Sequence, residues 1–286
     1  MTAVPRSHSI DGPAGRLAVH DWAGAGPPTL LAHPTGFHGR AWAPVAERLV
    51  AAGRHVWSFD FRGHGDSDAP DADYSWHGFA DDVLAVADHL GVAGDPSLLA
   101  CGHSKGGAAL LLGELKQPST FARIWAYEPI VFASEEPMPP QDDFFLARAA
   151  RKRRNEWSST DEAFEAYASK PPLNVLTEES LRAYVEYGLR DRGDGVLELK
   201  CSPEIEARVY SMGPNHGAYG RLADITAAVL VVCGETSTSI DPTLGADIAR
   251  RIPNGRIEVL AGLGHFGPQE DPAACVASML RFAADR

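Results

Sequence analysis

The strongest constraint on the fold of this chain is a regular alternation of short apolar runs with longer amphipathic stretches. Continuous apolar runs are typical of strands buried on both faces, and the stretches between them have the period of helices. The apolar runs are Thr29–His33, His55–Phe61, Ser97–Cys101, Ile124–Tyr127, Ala227–Cys233 and Ile257–Leu260. The helix-like stretches are Ala41–Ala52, Phe79–Leu90, Lys105–Leu115, Leu244–Ile252 and Ala273–Ala284. The pattern predicts an α/β fold with a mostly parallel central sheet and helices on both faces.

A hairpin is predicted before this alternation begins. Two extended segments, Ser7–Ile10 and Leu17–Trp22, flank a turn at Asp11–Gly15 that is rich in glycine and proline. Counting these two strands, the six apolar runs become the third to eighth strands of the predicted sheet.

The alternation stops between residues 132 and 221. This stretch contains no convincing strand but several amphipathic helical patches, which are Phe144–Trp157, Asp161–Ser169, Glu178–Leu189 and Pro203–Met212. Its place between two core strands predicts a helical lid over residues 132–221, inserted into a core domain formed by residues 1–131 and 222–286. A basic run within it, at residues 151–154, is interpreted as one solvated helix face.

Charge and composition exclude several classes of function. The chain has 286 residues, 44% of them apolar, and a formal net charge of −12, which disfavours nucleic acid or anionic lipid as a partner. No apolar run is long enough to span a membrane, and residues 1–10 lack the apolar core of a secretory signal. The four cysteines form no CxxC pair, so no metal site is expected. We expect a cytoplasmic protein that acts on a small molecule. Whether it forms a homodimer is left open.

The most informative motif is Gly102-His103-Ser104-Lys105-Gly106, a GxSxG pattern. Alone it is weak, but here it follows an apolar strand and precedes a helix rich in small residues, as a nucleophile elbow requires. Glycines on both sides let the strand and the helix approach closely, and the helix N-terminus points free N–H groups at developing negative charge. The motif predicts Ser104 as a nucleophile.

Through this motif the sequence resembles the α/β-hydrolase superfamily, and the resemblance extends over nearly its whole length. Three further segments support the resemblance: 33–37 (HPTGF), 60–67 (DFRGHGDS) and 262–266 (GLGHF). The resemblance implies the α/β-hydrolase fold, with a lid inserted after the sixth strand. It also implies that the 60–67 turn is structural.

Because a serine hydroxyl is a poor nucleophile at neutral pH, it needs a base. His265 follows the last predicted strand in a glycine-rich loop, and a histidine that comes last in the chain matches this fold. The third triad member departs from the family pattern, since Ser237 stands where an aspartate is usual after the seventh strand. Glu128, at the end of the sixth strand, is similar in placement to the acid of haloalkane dehalogenases and lactonase-like hydrolases. Asp241 and Glu235 stay open as alternative acids.

The resemblance also implies an oxyanion hole. One amide donor would come from Lys105, the residue after the nucleophile, and the other from Thr35. Proline at position 34 has no N–H, which excludes that residue as a donor.

A serine that attacked saturated carbon would leave a stable ether, so Ser104 favours attack on a carbonyl. The sequence predicts a hydrolase for a small carboxylic ester or lactone that works through an acyl-enzyme and needs no cofactor. Aromatic residues in the predicted lid favour an apolar or aromatic substrate. A C–C bond hydrolase or perhydrolase using the same residues stays open, as does a non-catalytic hydrolase-fold protein that binds a small hydrophobic ligand.

Overall fold

The structure, a computed structural model, describes residues 4–71, 74–133, 144–213 and 216–285. Its strands are β1 (Arg6–Gly12), β2 (Gly15–Asp21), β3 (Pro28–Ala32), β4 (His55–Phe59), β5 (Leu99–His103), β6 (Arg123–Tyr127), β7 (Glu156–Trp157), β8 (Leu189–Asp191), β9 (Leu197–Leu199), β10 (Ala228–Gly234) and β11 (Gly255–Leu260). Its α-helices are α1 (Ala43–Ala51), α2 (Trp76–His89), α3 (Lys105–Lys116), α4 (Phe145–Arg151), α5 (Thr160–Ala168), α6 (Glu178–Gly188), α7 (Pro203–Ser211), α8 (Pro242–Arg251), α9 (Gly267–Glu270) and α10 (Pro272–Ala284). Within the described ranges, no helix is long and apolar enough to cross a membrane.

Eight strands form the central sheet in the order β1-β2-β4-β3-β5-β6-β10-β11. The β1–β2 hairpin is antiparallel, and β2 also pairs antiparallel with β4. All the remaining neighbours are parallel. The predicted hairpin, the mostly parallel sheet and the order of strands and helices are therefore confirmed.

Helices cover both faces of this sheet and create two layers of core. One layer packs side chains of α2, α3 and α8 against the sheet, and the other packs those of α1 and α10. Successive residues of a strand alternate between the layers, so Leu30 lies in the first and Leu31 in the second, and both are fully buried. This two-sided burial explains why the strands are continuous apolar runs in the sequence.

The region between β6 and β10 differs from its prediction. It contains the expected helices α4 to α7, but also a small antiparallel sheet in the order β7-β9-β8. The prediction of no strand there was wrong, because strands of two or three residues are too short to show an alternating pattern. The helix expected over Phe144–Trp157 ends at Arg151, and Trp157 lies in β7. Residues 134–143 and 214–215 of the predicted lid lie outside the described part of the chain.

The interpretation of the basic run as a solvated helix face is wrong at Arg153. Its guanidinium turns inward, forms an ion pair with the buried Glu206 and donates to the hydroxyls of Tyr184 (2.6 Å) and Tyr167 (3.1 Å). An arginine can satisfy several partners at once because its guanidinium carries five N–H donors. A charge count along the sequence cannot reveal such an inward-facing member of a basic run.

Candidate active site

Ser104 lies on a sharp turn between β5, which ends at His103, and α3, which begins at Lys105. Its backbone is left-handed, with φ 53° and ψ −115°, a conformation that costs energy for any residue with a side chain. A Cβ at Gly102 would lie 2.6 Å from the backbone of Gly106, and a Cβ at Gly106 would lie 2.2 Å from the carbonyl oxygen of Ala32. The helix α3 therefore lies so close to β5 at Gly102 and to the end of β3 at Gly106 that both positions require glycine. This is the local geometry that the GxSxG pattern predicted.

Glu128 follows β6 immediately and is completely buried. Its carboxylate accepts three hydrogen bonds: from Nδ1 of His265 (2.6 Å), from the hydroxyl of Ser237 (2.8 Å) and from the amide of Gly234 (3.0 Å). Its backbone also has a positive φ, 44°. A buried carboxylate is costly unless it has such partners, and these three supply them.

His265 lies in the loop between β11 and α9, and that loop is held from two sides. The hydroxyl of Tyr127 donates to the carbonyl oxygen of Gly264 (2.6 Å). The carboxylate of Glu270 accepts from the amides of Gly264 (2.8 Å) and Phe266 (2.9 Å). Because Nδ1 of His265 donates to Glu128, its Nε2 is left with the lone pair that a general base requires.

The serine turn and the histidine loop meet at the carboxyl edge of the sheet. The amide of Ser104 donates to the carbonyl oxygen of Tyr127 (2.8 Å), the residue before Glu128. The ring of His103, the residue before Ser104, lies 5.0 Å from the ring of His265. Burial lowers the pKa of His103 well below its usual range, so this neighbour stays neutral and does not oppose a positive charge on His265.

The loop after β3 lies beside the serine turn. Nδ1 of His33 donates to the carbonyl oxygen of Pro34 (2.8 Å), and Nε2 of His33 accepts from the amide of Phe61 (3.1 Å). No hydrogen bond joins the amide of Thr35 or that of Lys105 to another of the described residues. Both N–H groups are thus available to a ligand, as an oxyanion hole requires.

The two alternative acids have other partners. Asp241 is exposed and caps α8, accepting from the amides of Thr243 (2.8 Å) and Leu244 (3.1 Å). Glu235 is also exposed and accepts from the amide of Gly262 (2.8 Å). Of the three candidate carboxylates, all of which the structure describes, Glu128 is the one hydrogen-bonded to His265.

Sequence reasoning missed the part played by Ser237. The sequence shows only a serine where an aspartate is usual, yet the hydroxyl of Ser237 donates to the same oxygen of Glu128 that His265 contacts. The signal was that a small polar residue, rather than an apolar one, stands at that position. Within the described ranges no group of three or more histidine, cysteine, aspartate or glutamate side chains is arranged to hold a metal ion.

A parallel sheet flanked by helices, with a strained serine turn at its carboxyl edge, defines the class of α/β-hydrolase folds. The sequence profile described as "Alpha/beta hydrolase family" matches residues 29–278, and the chain belongs to this family. The resemblance seen in the sequence is thereby confirmed.

Known relatives cover nearly the whole chain. The 2-(acetamidomethylene)succinate hydrolase of Mesorhizobium japonicum is 24% identical over 262 residues, which are 91% of this chain and 88% of the relative. A crystal structure of E-2-(acetamidomethylene)succinate hydrolase superposes with a TM-score of 0.82 at 22% identity and covers 98% of this chain and 100% of that one. The crystal structure of the esterase RhEst1 from a Rhodococcus species gives a TM-score of 0.72 at 21% identity and covers 99% of each chain.

Proposed function

We propose that the protein is a serine hydrolase that cleaves a small carboxylic ester or lactone through an acyl-enzyme on Ser104. The observation that carries the proposal is the strained serine turn beside the hydrogen-bonded pair of buried Glu128 and half-buried His265, 2.6 Å apart, at one edge of the sheet. Strained residues concentrate at active sites, where the surrounding structure holds a conformation that is otherwise unfavourable. Membership of a hydrolase family supports the proposal, and so does the likeness to RhEst1, whose name says esterase.

The proposed reaction has two steps. His265, oriented by Glu128, takes the proton of Ser104 as the serine oxygen attacks the substrate carbonyl. The resulting oxyanion accepts hydrogen bonds from the amides of Thr35 and Lys105, and His265 then protonates the leaving alcohol. Water, activated by the same histidine, releases the acid and restores Ser104.

The surroundings of the proposed site favour an apolar or aromatic substrate group. The ring of Phe37, two residues after Thr35, packs 4.7 Å from the ring of Tyr184 and 5.8 Å from that of Phe266. Phe266 follows His265 directly, so these aromatic rings lie beside both the proposed oxyanion donor and the proposed base. We propose that residues 132–221 form the lid that completes this pocket, because Tyr184 belongs to that segment.

A hydrolysis panel tests the proposal. The purified protein is assayed with p-nitrophenyl esters of increasing acyl length, with lactones and with thioesters, next to Ser104→Ala. A matched control is Ser119→Ala, since Ser119 also has a positive φ (66°) but is exposed at the other end of α3. We expect turnover of at least one ester or lactone, lost in Ser104→Ala and kept in Ser119→Ala. No hydrolysis by the wild type above the level of Ser104→Ala would contradict the proposal and favour the binding-only alternative.

A further inference from the structure

The side chain of Lys105, the residue proposed as an oxyanion donor through its backbone amide, is fully buried. Its Nζ lies 3.4 Å from Nε2 of His64, and it stands over the rings of Phe61 and Phe79, 4.2 and 4.5 Å from their centres. Within the described ranges no carboxylate forms an ion pair with it. Lysine is almost never fully buried without a paired charge, so this position needs an explanation.

The hydrogen bond to His64 has a fixed direction. Nδ1 of His64 donates to the carbonyl oxygen of Arg62 (2.9 Å), so its Nε2 carries the lone pair. Nζ of Lys105 therefore donates to Nε2. This bond ties the first residue of α3 to the turn at residues 60–67, which the resemblance had assigned a structural role.

Charged and titratable groups face Lys105 from every element packed against it. They are Asp60 and His64 of the 60–67 turn, Asp82 of α2, His33 after β3, and Cys201 before α7. The carboxylate of Asp82 is engaged by the guanidinium of Arg62 (2.7 Å), and that of Asp60 accepts from the amide of Asp66 (2.8 Å) and from His20 (3.3 Å).

The other groups around Lys105 carry no charge at neutral pH. Burial lowers the pKa of His33 and of His64 well below the usual range of histidine, so both rings stay neutral. Burial raises the pKa of the Cys201 thiol to about 12. The ammonium group of Lys105 thus has aromatic faces and one imidazole lone pair around it rather than a dedicated counter-ion.

We propose that Lys105 is a positioning residue: its side chain joins the serine turn to the 60–67 turn through His64, and its buried ammonium group favours negative charge at the amide of the same residue. This inference rests on the proposed function, because it concerns the oxyanion of that reaction. A positive charge within one side-chain length of the oxyanion acts through a medium of low polarity, where it is screened far less than in water.

The positioning role makes activity depend on the charge of Lys105. Burial lowers the pKa of Lys105 to about 7, so the ammonium form is lost as pH rises through neutrality. We expect kcat of the wild type to fall by about tenfold on the alkaline side, as the favourable charge disappears.

The free energy of unfolding should depend on pH as well, and it should rise in the alkaline range where kcat falls. Between pH 7 and the unfolded pKa of about 10.4, the unfolded chain binds the proton and the folded chain does not, so stability rises with pH across this window.

Two variants separate the charge from the hydrogen bond. Lys105→Met removes both and keeps the amide, while Lys105→Gln carries no charge but keeps an N–H donor, one bond shorter than that of lysine, on the side facing His64. For each we measure kcat and KM on the best ester of the panel from pH 5.5 to 9.5, together with thermal unfolding across the same range. The titration of the lysine is followed directly by the ¹³Cε signal that the wild type shows and Lys105→Met lacks.

We expect both variants to lose about tenfold in kcat below pH 7 with KM unchanged, and to lack the alkaline fall. Lys105→Met should be at least as stable as the wild type at pH 7, because it removes a buried charge, and should not gain stability between pH 7 and 10. Wild-type kcat and pH profile in Lys105→Gln, or a lysine that titrates above pH 9, would overturn the inference. A wild type that hydrolyses no substrate would contradict the proposed function instead, and this inference with it.

Discussion

Replacing Glu128 with glutamine removes one charge from the proposed site and changes little else. The amide has the shape of the carboxylate, and its oxygen can still accept from Gly234 (3.0 Å in the wild type). Its NH₂ group, however, faces Nδ1 of His265 where the wild type has an acceptor at 2.6 Å. The imidazole would therefore favour the tautomer with the proton on Nε2, which cannot take a proton from Ser104.

The size of the effect follows from the ion pair that forms in the transition state. Centres of charge about 4 Å apart, in a medium of effective dielectric constant about 20, attract each other by about 4 kcal/mol. Since each 1.36 kcal/mol is a factor of ten in rate, kcat should fall by about a thousandfold, and the unfavourable tautomer lowers it further. Little discount for solvent is needed, because Glu128 is completely buried.

Steady-state kinetics on the best substrate of the panel measure this loss. Asp241→Asn and Glu235→Gln are matched controls, because each also removes one carboxylate charge, from an exposed position. Asparagine caps a helix as well as aspartate does, so Asp241→Asn should keep its fold and stay within about twofold of wild-type kcat. If Glu128→Gln kept more than a tenth of wild-type kcat while either control lost activity, the assignment of Glu128 would be wrong.

Three further predictions concern a hydrogen bond, a close backbone approach and an ion pair around the site. Ser237→Ala removes one hydrogen bond to the Glu128 carboxylate, and we expect kcat to fall by about tenfold; an unchanged kcat would contradict its supporting role. Gly106→Ala should lower the unfolding free energy by about 3 kcal/mol because its Cβ meets backbone. By contrast, a Cβ at Gly113 in the same helix would make only ordinary contacts, so Gly113→Ala should raise the unfolding free energy by about 0.5 kcal/mol. If urea unfolding gave the same change for both variants, the close backbone approach at Gly106 would be refuted. Arg153→Met leaves the Glu206 charge buried and unpaired and should lower the unfolding free energy by about 3 kcal/mol. Replacing Glu206 with Met in the same chain should recover much of this loss. If the losses of the two single variants simply added in the double variant, the result would argue against the ion pair.

The features that could be predicted are those that produce a periodic pattern or a short motif in the sequence. Burial on both faces makes the core strands continuous apolar runs, so the order of strands and helices could be predicted. The glycines at positions 102 and 106 are required by the close approach of α3 to β5 and to the end of β3, so the serine turn was visible as a motif. Glu128 stood out because a carboxylate at the end of an apolar strand needs a partner.

The features that the sequence did not predict depend on contacts between distant residues. The strands β7 to β9 are too short for a pattern, and the inward turn of Arg153 depends on Glu206, 53 residues away. The burial of the Lys105 side chain depends on the 60–67 turn and α2 folding over it, which no local pattern records. Charged residues are normally exposed, so the basic run that contains Arg153 was interpreted as solvated, and for the side chain of Lys105 no burial was predicted.

Labelling with a fluorophosphonate tests the central claim most directly, because such a reagent forms a covalent adduct only with a serine activated by its surroundings. We expect one adduct per chain by intact-mass spectrometry, located by peptide mapping to Ser104 and absent from Ser104→Ala. Labelling should also be much slower in Glu128→Gln. A wild-type chain that stays unlabelled, or an adduct that persists in Ser104→Ala, would contradict the claim that Ser104 is an activated nucleophile.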